Sequence, residues 1–336
     1  MFIENLTFDD VSLVPQYSEI ASRHDVDLSC GAHFGLNMTT PILSANMATV
    51  TGDEMCRAML EVGGVGVQHR FQSLEDFEVP LNYDKIVSIG VDNFVKRLNF
   101  YRKNRMKLLC IDVAHGHHKK VGDMLKHIRF HHKDFFTIIA GNVCTTFGAQ
   151  YLWENGADLV KVGVGPGSHC TTRVITGHGV PQLTAISSIS NVASARKEDG
   201  LSAGVIADGG IRNSGDIAKA IAAGADYVMI GRLLAGCAEA PSEAISTPKG
   251  LMKVYRGSAS YEAQSKRRDK RTIIAEGVQS QVPYTGTVKQ IITKLTNGLK
   301  SACSYTGAAN LDEFKRKARM VRVTGASYVE GTPHGA

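Results

Sequence analysis

Short apolar runs bounded by Gly, Asn and Asp recur along the chain at 42–45, 65–68, 86–91, 108–113, 135–140, 159–164, 204–207 and 227–230. Runs of this length between turn formers predict strands, and their continuity, in place of alternation, means that both faces are buried, as in a parallel sheet covered by helices. Between most of them, apolar positions recur at helical spacing and predict helices at 53–61, 93–102, 119–130, 147–154, 184–197 and 216–223. Strand and helix therefore alternate. An internal repeat sharpens the pattern: Gly156-Ala-Asp-Leu-Val-Lys-Val-Gly163 and Gly224-Ala-Asp-Tyr-Val-Met-Ile-Gly231 both place a helix-ending Gly, an Asp, a buried strand and a strand-ending Gly in that order.

Eight such units close into a (β/α)8 TIM barrel, a doubly wound open sheet being the alternative; in a barrel the ligand site lies at the C-terminal strand ends. Polar residues gather there: Asn46, His69, Asp92, Asp112, Asn142, the 163–173 loop, Asp208 and Arg232. No low-complexity linker divides the chain, and only 16 residues (69–84) separate Gln68 from Lys85, which leaves no inserted domain. The expectation is a single barrel over 1–336, with a polar flap at about 257–278 and a C-terminal extension at about 300–336. A long polar excursion of this kind in a compact domain is commonly a lid.

Composition narrows the class further. With 336 residues, 43% of them hydrophobic, the chain has apolar material for a large core. No apolar run approaches the roughly 20 residues that span a bilayer, and the first residues lack the basic and apolar regions of a secretory signal, so a cytoplasmic protein is expected. Seven cysteines, an odd number with no C-x-x-C pair, indicate neither a disulfide frame nor a zinc site. A net charge of +6 favours anionic ligands and is too diffuse to argue nucleic acid.

The densest chemistry is Gly163-Val-Gly-Pro-Gly-Ser-His-Cys-Thr-Thr-Arg173, after the sixth strand. Its glycines permit close backbone approach, and a thiol beside two Thr hydroxyls and the cation Arg173 is a candidate nucleophile, a small buried hydrophobe being the bland alternative for Cys170. Ala207-Asp-Gly-Gly-Ile211 and Ile230-Gly-Arg232 end the seventh and eighth strands, the usual place of a barrel's phosphate cradle. An Asp there repels phosphate, so Asp208 suits ribose hydroxyls; tight βα turns are the alternative reading. Six histidines lie between 115 and 132, but the pair His127 and His131 shares its helix with five cations and few carboxylates, which reads as a solvated basic face and not a metal site. His115, at a strand end, either orients a ligand or is satisfied within the fold. The run 266–271 carries five cations and no aromatics, so single-strand stacking is not indicated.

These motifs, with Thr176-Gly-His-Gly-Val-Pro-Gln182, Val205–Lys219, Tyr255-Arg-Gly-Ser258, Leu6–Pro15 and Tyr305-Thr-Gly-Ala-Ala, resemble the IMP dehydrogenase and GMP reductase family along nearly the whole chain. The resemblance implies a barrel, a covalent Cys–purine intermediate, hydride exchange with a nicotinamide cofactor and a homotetramer. It implies Cys170 as nucleophile with Thr172 and Glu276 as its proton-handling partners. The nucleotide substrate (GMP or IMP) would meet Met47, Ser168, Asp208, Gly209, Gly210, Gly231, Arg232, Tyr255, Gly257 and Ser258. The cofactor would meet Asp112, Val113, Ala114, His115, Gly163 and Gly165, and the carbonyls of Gly165, Gly167 and Cys170 match a K+ loop of the dehydrogenases.

Within the family the resemblance leans to the reductases, with NADPH as cofactor. Most dehydrogenases carry a regulatory domain between the second and third strands, and they use an Arg-Tyr flap pair to activate water; residues 257–276 contain Arg267, Arg268 and Arg271 but no Arg-Tyr step. Gln68-His-Arg-Phe-Gln72, Ile111–His117 and Gly257-Ser-Ala-Ser260 look like one branch of the reductases. The segment from Cys170 to Pro181 and Thr324-Gly-Ala-Ser look instead like bacterial dehydrogenases, which keeps IMP oxidation with NAD as the alternative. His169, Arg232 and Cys237 depart from the family's usual residues. His169 as an imidazolium would lower the thiol's pKa, Arg232 would pair with the nucleotide phosphate, and the run 266–271 would meet the 2′-phosphate of NADPH.

Overall fold

The computed structural model describes residues 5–77, 83–265 and 274–331. Eight parallel strands form a closed barrel: β1 (Ile42–Ser44), β2 (Val65–Gln68), β3 (Ile86–Ile89), β4 (Leu108–Asp112), β5 (Thr137–Val143), β6 (Leu159–Val162), β7 (Gly204–Asp208) and β8 (Tyr227–Ile230). The ring shuts where Ile42 pairs with Val228. All eight predicted strands are present. The fifth starts two residues later than the sequence suggests and runs on to Val143, because Asp134 and Phe135 belong to a 3-10 turn that ends the preceding helix.

The six predicted helices appear as Asp53–Glu61, Phe94–Lys103, Lys119–His132, Thr146–Glu154, Gln182–Glu198 and Ser214–Ala222. Strands read as continuous apolar runs because the helices cover their outer side chains while their inner ones fill the barrel. Leu43, Val65, Val67, Ile86, Leu108, Cys110, Ile139, Leu159, Ile206 and Met229 form the interior, with Phe34 and Met38 in the same cluster; Ile42, Val87, Leu109, Ile138, Val160, Val205 and Val228 face the helices. The two-residue period of a strand then has a consequence at the C-terminal end. Continuing the inner rows Leu108–Cys110, Leu159 and Ile206 by one step gives Asp112, Lys161 and Asp208, so the top layer of the core is ionic.

The repeated Gly-Ala-Asp motif acts at the opposite end. Gly156 and Gly224 end their helices at φ +112° and +103°, a conformation L side chains rarely adopt. Each following Asp accepts a backbone N–H from the neighbouring strand, Ile138 N–H to Asp158 at 2.6 Å and Val205 N–H to Asp226 at 2.9 Å. The same turn thus stitches two strand pairs at the barrel's base.

Three features lie outside the predicted alternation. Val11–Leu13 pairs antiparallel with Met320–Arg322, joining the two ends of the described chain. Ala244–Thr247, Gly250–Arg256 and Gln279–Pro283 form an antiparallel sheet that carries the flap, and Val288–Tyr305 packs against the helices Asp53–Glu61 and Ser214–Ala222. Lys253 ties this sheet to the barrel by donating to the carbonyls of Cys237, Ala238 and Ala240. Between β2 and β3, Asp53 gathers both legs of the connection, accepting from Gln68, Tyr83 and the buried Lys85. All seven cysteines are free, and no helix among the described residues is long and apolar enough to cross a membrane.

Burial holds the imidazoles of His33 and His169 below the ordinary value of 6.5. Such groups take up protons more readily in the unfolded chain, so their contribution is present above the ordinary value and is lost as pH falls below it. Thermal melts should therefore show Tm falling between pH 7 and pH 5, and His33→Gln, at the edge of Tyr227, should flatten that slope.

Candidate active site

The floor of the barrel mouth is a chain of charges. Lys161, buried, places Nζ 2.7 Å from Asp208 Oδ2 and 3.8 Å from Asp112 Oδ1, and Asn142 donates to Asp208 Oδ2 at 2.9 Å. Arg70 pairs with Asp112 from the other side at 3.3 Å. The two carboxylates more than offset the cost of burying the ammonium, and drive the Lys161 pKa above its ordinary value. Lys161 also requires Gly141 opposite it, since a Cβ there would lie 2.6 Å from the Lys161 Cβ. The ends of β4, β5, β6 and β7 are thus locked together.

Above this floor the 163–173 loop brings three groups into line. The Cys170 thiol donates to Thr172 Oγ1 at 3.1 Å, and that hydroxyl donates to Glu276 Oε2 at 2.8 Å. Glu276 is 104 residues from Thr172 in sequence and reaches it because the flap's returning leg is zipped to the loop. Thr171 N–H donates to the Glu276 carbonyl, Val278 N–H donates to the His169 carbonyl, and Cys170 bridges Gly277 antiparallel. The arrangement can pass a proton from thiol to carboxylate through one hydroxyl.

Beside the thiol loop, the glycines of β7 and β8 make a concave wall. A Cβ on Gly209 would sit 3.0 Å from Pro166 and 3.1 Å from the Gly167 nitrogen; one on Gly231 would sit 2.9 Å from the Tyr255 hydroxyl and 3.3 Å from the Met47 sulfur. Gly210 lies next to Pro166 and Phe8. Met47, Gly231, Tyr255 and the 166–168 segment therefore converge, and Arg232, exposed at the start of a short helix, forms no ion pair among the described residues. Gly257 abuts the His169 carbonyl and Gly277 at the root of the flap, with the half-buried Ser258 beside it. Burial pushes the Tyr255 phenol up to about 12, so its hydroxyl keeps its proton and can donate.

On the other side of the floor, Val113 is held to β5 through Gly141 and Asn142, and Ala114 and His115 are exposed. Burial first, then the neighbouring His117, His118 and His178, hold the His115 pKa below 6.5. Gly163 N–H donates to the Val143 carbonyl, which holds the start of the Gly-rich loop to β5.

Several expectations are corrected. Arg173 is turned to the Val180 carbonyl, at 2.6 Å, and lies along Gly165 and Gly179, so its guanidinium is engaged away from the thiol. His169 is not an imidazolium at the thiol: burial and the nearby Arg232 push its pKa down, and its ring bonds Ser168 and Ser280. Two of the three positions matched to a K+ loop are contacted within the chain. Gly167 O already accepts the Cys170 N–H, and the Arg173 guanidinium lies against Gly165, supplying positive charge beside the loop. Cys237 is buried against Thr285, its thiol raised to about 11, and acts in packing. No group of three metal-ligating side chains occurs among the described residues, and His118 caps its helix. The run 266–271 lies outside the described residues.

Sequence reasoning missed Lys161 and Arg70. The signal for Lys161 was in the repeat, where a Lys stands at the strand position that the second copy fills with Met229. A lone ammonium at an inward position of a buried strand demands carboxylates around it.

A thiol–hydroxyl–carboxylate line beside a glycine-built wall, at the C-terminal mouth of a (β/α)8 barrel, has the make-up of an enzyme centre. The model of the IMP dehydrogenase / GMP reductase domain matches residues 5–80 and 84–334, and the chain belongs to this family. It is 34% identical to inosine-5'-monophosphate dehydrogenase of Borreliella burgdorferi, over 98% of this chain and 97% of that one. It is 36% identical to GMP reductase of Buchnera aphidicola, over 95% and 94%. The fold superposes on a crystal structure of Trypanosoma brucei GMP reductase, a Cys-to-Ala variant in complex with guanosine 5'-monophosphate, with a TM-score of 0.90, 27% identity and coverage of 100% and 98%. Members of the family are oxidoreductases of purine nucleotides that use a nicotinamide cofactor.

Proposed function

We propose that the protein is a GMP reductase, converting GMP to IMP and ammonia with NADPH through a covalent bond between Cys170 and purine C2. The observation that carries this reading is the unbroken line Cys170–Thr172–Glu276. The thiol proton leaves through Thr172 to Glu276, and the thiolate sulfur bonds to C2 of GMP. The same carboxyl returns a proton through Thr172 to the 2-amino group, the C–N bond breaks and ammonia departs, leaving a thioimidate. The nicotinamide supplies the hydride that C2 then takes up. Breaking the C–S bond expels IMP and leaves the Cys170 thiolate, which takes up one proton from solvent to restore the thiol.

The remaining residues position these atoms. Asp208 is held through Oδ2 by Lys161 and Asn142 and presents a fixed carboxylate to ribose hydroxyls. Ser168, Gly209, Gly210, Gly231, Arg232 and Tyr255 receive the phosphate, and Met47, Gly257 and Ser258 flank the base. The residues at the end of β4 fit a nicotinamide: Asp112 is neutralised by Arg70, and Ala114 and an uncharged His115 offer an open, weakly polar shelf beside Val113, with Gly163 and Gly165 across the mouth. The preference for NADPH is supported by the sequence of the 266–271 run alone. A homotetramer, as the family resemblance implies, completes the proposal.

The competing reading, oxidation of IMP with NAD, is favoured by the dehydrogenase names among the relatives and by the 170–181 segment. Absorbance at 340 nm decides between them. GMP with NADPH should lose absorbance and release ammonia; gain with IMP and NAD alone would overturn the proposal. Glu276→Gln should lower the GMP-dependent rate by about 10²–10³-fold, within the range for loss of a general acid–base group, with KM for GMP changed little.

A further inference from the structure

The imidazole of His169 sits where two halves of the site meet. Its residue is 7% exposed, and both ring nitrogens are engaged: Nδ1 with Ser168 Oγ at 3.3 Å and Nε2 with Ser280 Oγ at 2.6 Å. Tyr255 covers the ring at 4.2 Å between centroids. Tyr255 and Ser280 are direct cross-strand partners in the flap's sheet, so the ring is gripped by one register pair of that sheet. The His169 backbone carbonyl accepts from Val278 N–H, two residues beyond Glu276. Side chain and main chain of one residue thus fasten the loop that carries Cys170 to the strand that leads from Glu276.

We propose that His169 is a positioning residue: its bond to Ser280, braced by Tyr255, sets the register of segment 276–280 against the Cys170 loop and so holds Glu276 on Thr172. Ser280 itself is exposed, and its side-chain hydrogen bond is to His169 and not to Cys170, Thr172 or Glu276, so the bond has no other evident task at this site. Without it, the main-chain pairing between 276–278 and the loop opens more often, and Glu276 leaves Thr172 when it does. The proposal rests on the reductase reading for its kinetic consequence, but its structural core stands apart from it.

The test uses the full-length chain with His169→Ala, Ser280→Ala and the double variant, in two measurements. Hydrogen–deuterium exchange should show the amides of 276–280 exchanging at least about tenfold faster in each variant, while the barrel strands keep their rates. Steady-state kinetics with GMP and NADPH should show kcat down about tenfold and KM for GMP within about twofold, as expected for loss of one buried hydrogen bond that orients a catalytic group. The double variant should be no slower than His169→Ala, because both substitutions break one interaction. Unchanged exchange at 276–280 in Ser280→Ala overturns the proposal, as does a double variant whose losses multiply. Should the wild type turn over neither nucleotide pair, the reductase reading fails and exchange alone decides the role of His169. Because Ser280 is at the surface, its variant keeps the question open to measurement even if His169→Ala folds poorly.

Discussion

Cys170→Ala should abolish turnover, with GMP-dependent NADPH oxidation falling by at least about 10⁴-fold, while GMP still binds. No other group described in the mouth can replace the thiol: the other cysteines that follow barrel strands at this end, Cys144 and Cys237, have thiols whose pKa burial raises. The Cys170 sulfur's hydrogen bond is to Thr172 and not to the wall of Met47, Gly209, Gly231 and Tyr255, so calorimetric affinity for GMP should stay within a fewfold of wild type. Mass spectrometry of the quenched wild-type reaction should trap a nucleotide adduct on the peptide bearing residue 170, and the variant should give none. A variant that retains substantial turnover would remove Cys170 from the mechanism.

The second large effect is on stability. Lys161→Met removes the cation between Asp208 and Asp112 and leaves both carboxylates in the top layer of the core. Removing one partner of a buried ion pair costs about 3–5 kcal/mol, a large part of the total stability of a typical domain. Denaturant midpoints should fall accordingly, and KM for GMP should rise because Asp208 loses its anchor. The sign of the pH dependence separates this from the histidine effect. A Lys whose pKa is raised on folding contributes fully at every pH below its ordinary value of 10.5. The deficit of the variant should thus be constant from pH 6 to pH 9, whereas the histidine-linked loss appears only below about 6.5. Combining the change with Asp208→Asn should recover part of the loss, since the uncompensated charge is then reduced.

The barrel was legible because its strands are buried on both sides and therefore announce themselves as unbroken apolar runs. The flap's sheet was not, for the opposite reason: Ala244–Thr247 and Gln279–Pro283 are mostly exposed and carry no apolar signature. The pairing of Val11–Leu13 with Met320–Arg322 spans the described chain, and no local pattern encodes a partner that far away. At the site, motif spacing marked Cys170, Thr172 and Asp208 as strand-end residues, and the family resemblance supplied Glu276. The directions of side chains were beyond reach. Arg173 and His169 flank the thiol in sequence, yet one turns to Val180 and the other to Ser280, because neighbouring residues on a tight loop point apart.

The carboxylate of Asp53 has a consequence for how this architecture can be remodelled. By holding Gln68 at one end of the β2–β3 connection and Tyr83 and Lys85 at the other, it brings entry and exit of that connection to a single point on the rim. A guest domain spliced there would find its two attachment points already side by side and fixed by the host, so it could be acquired or shed without asking the barrel to refold. Modularity of this kind needs no flexible linker; it needs one well-placed acid.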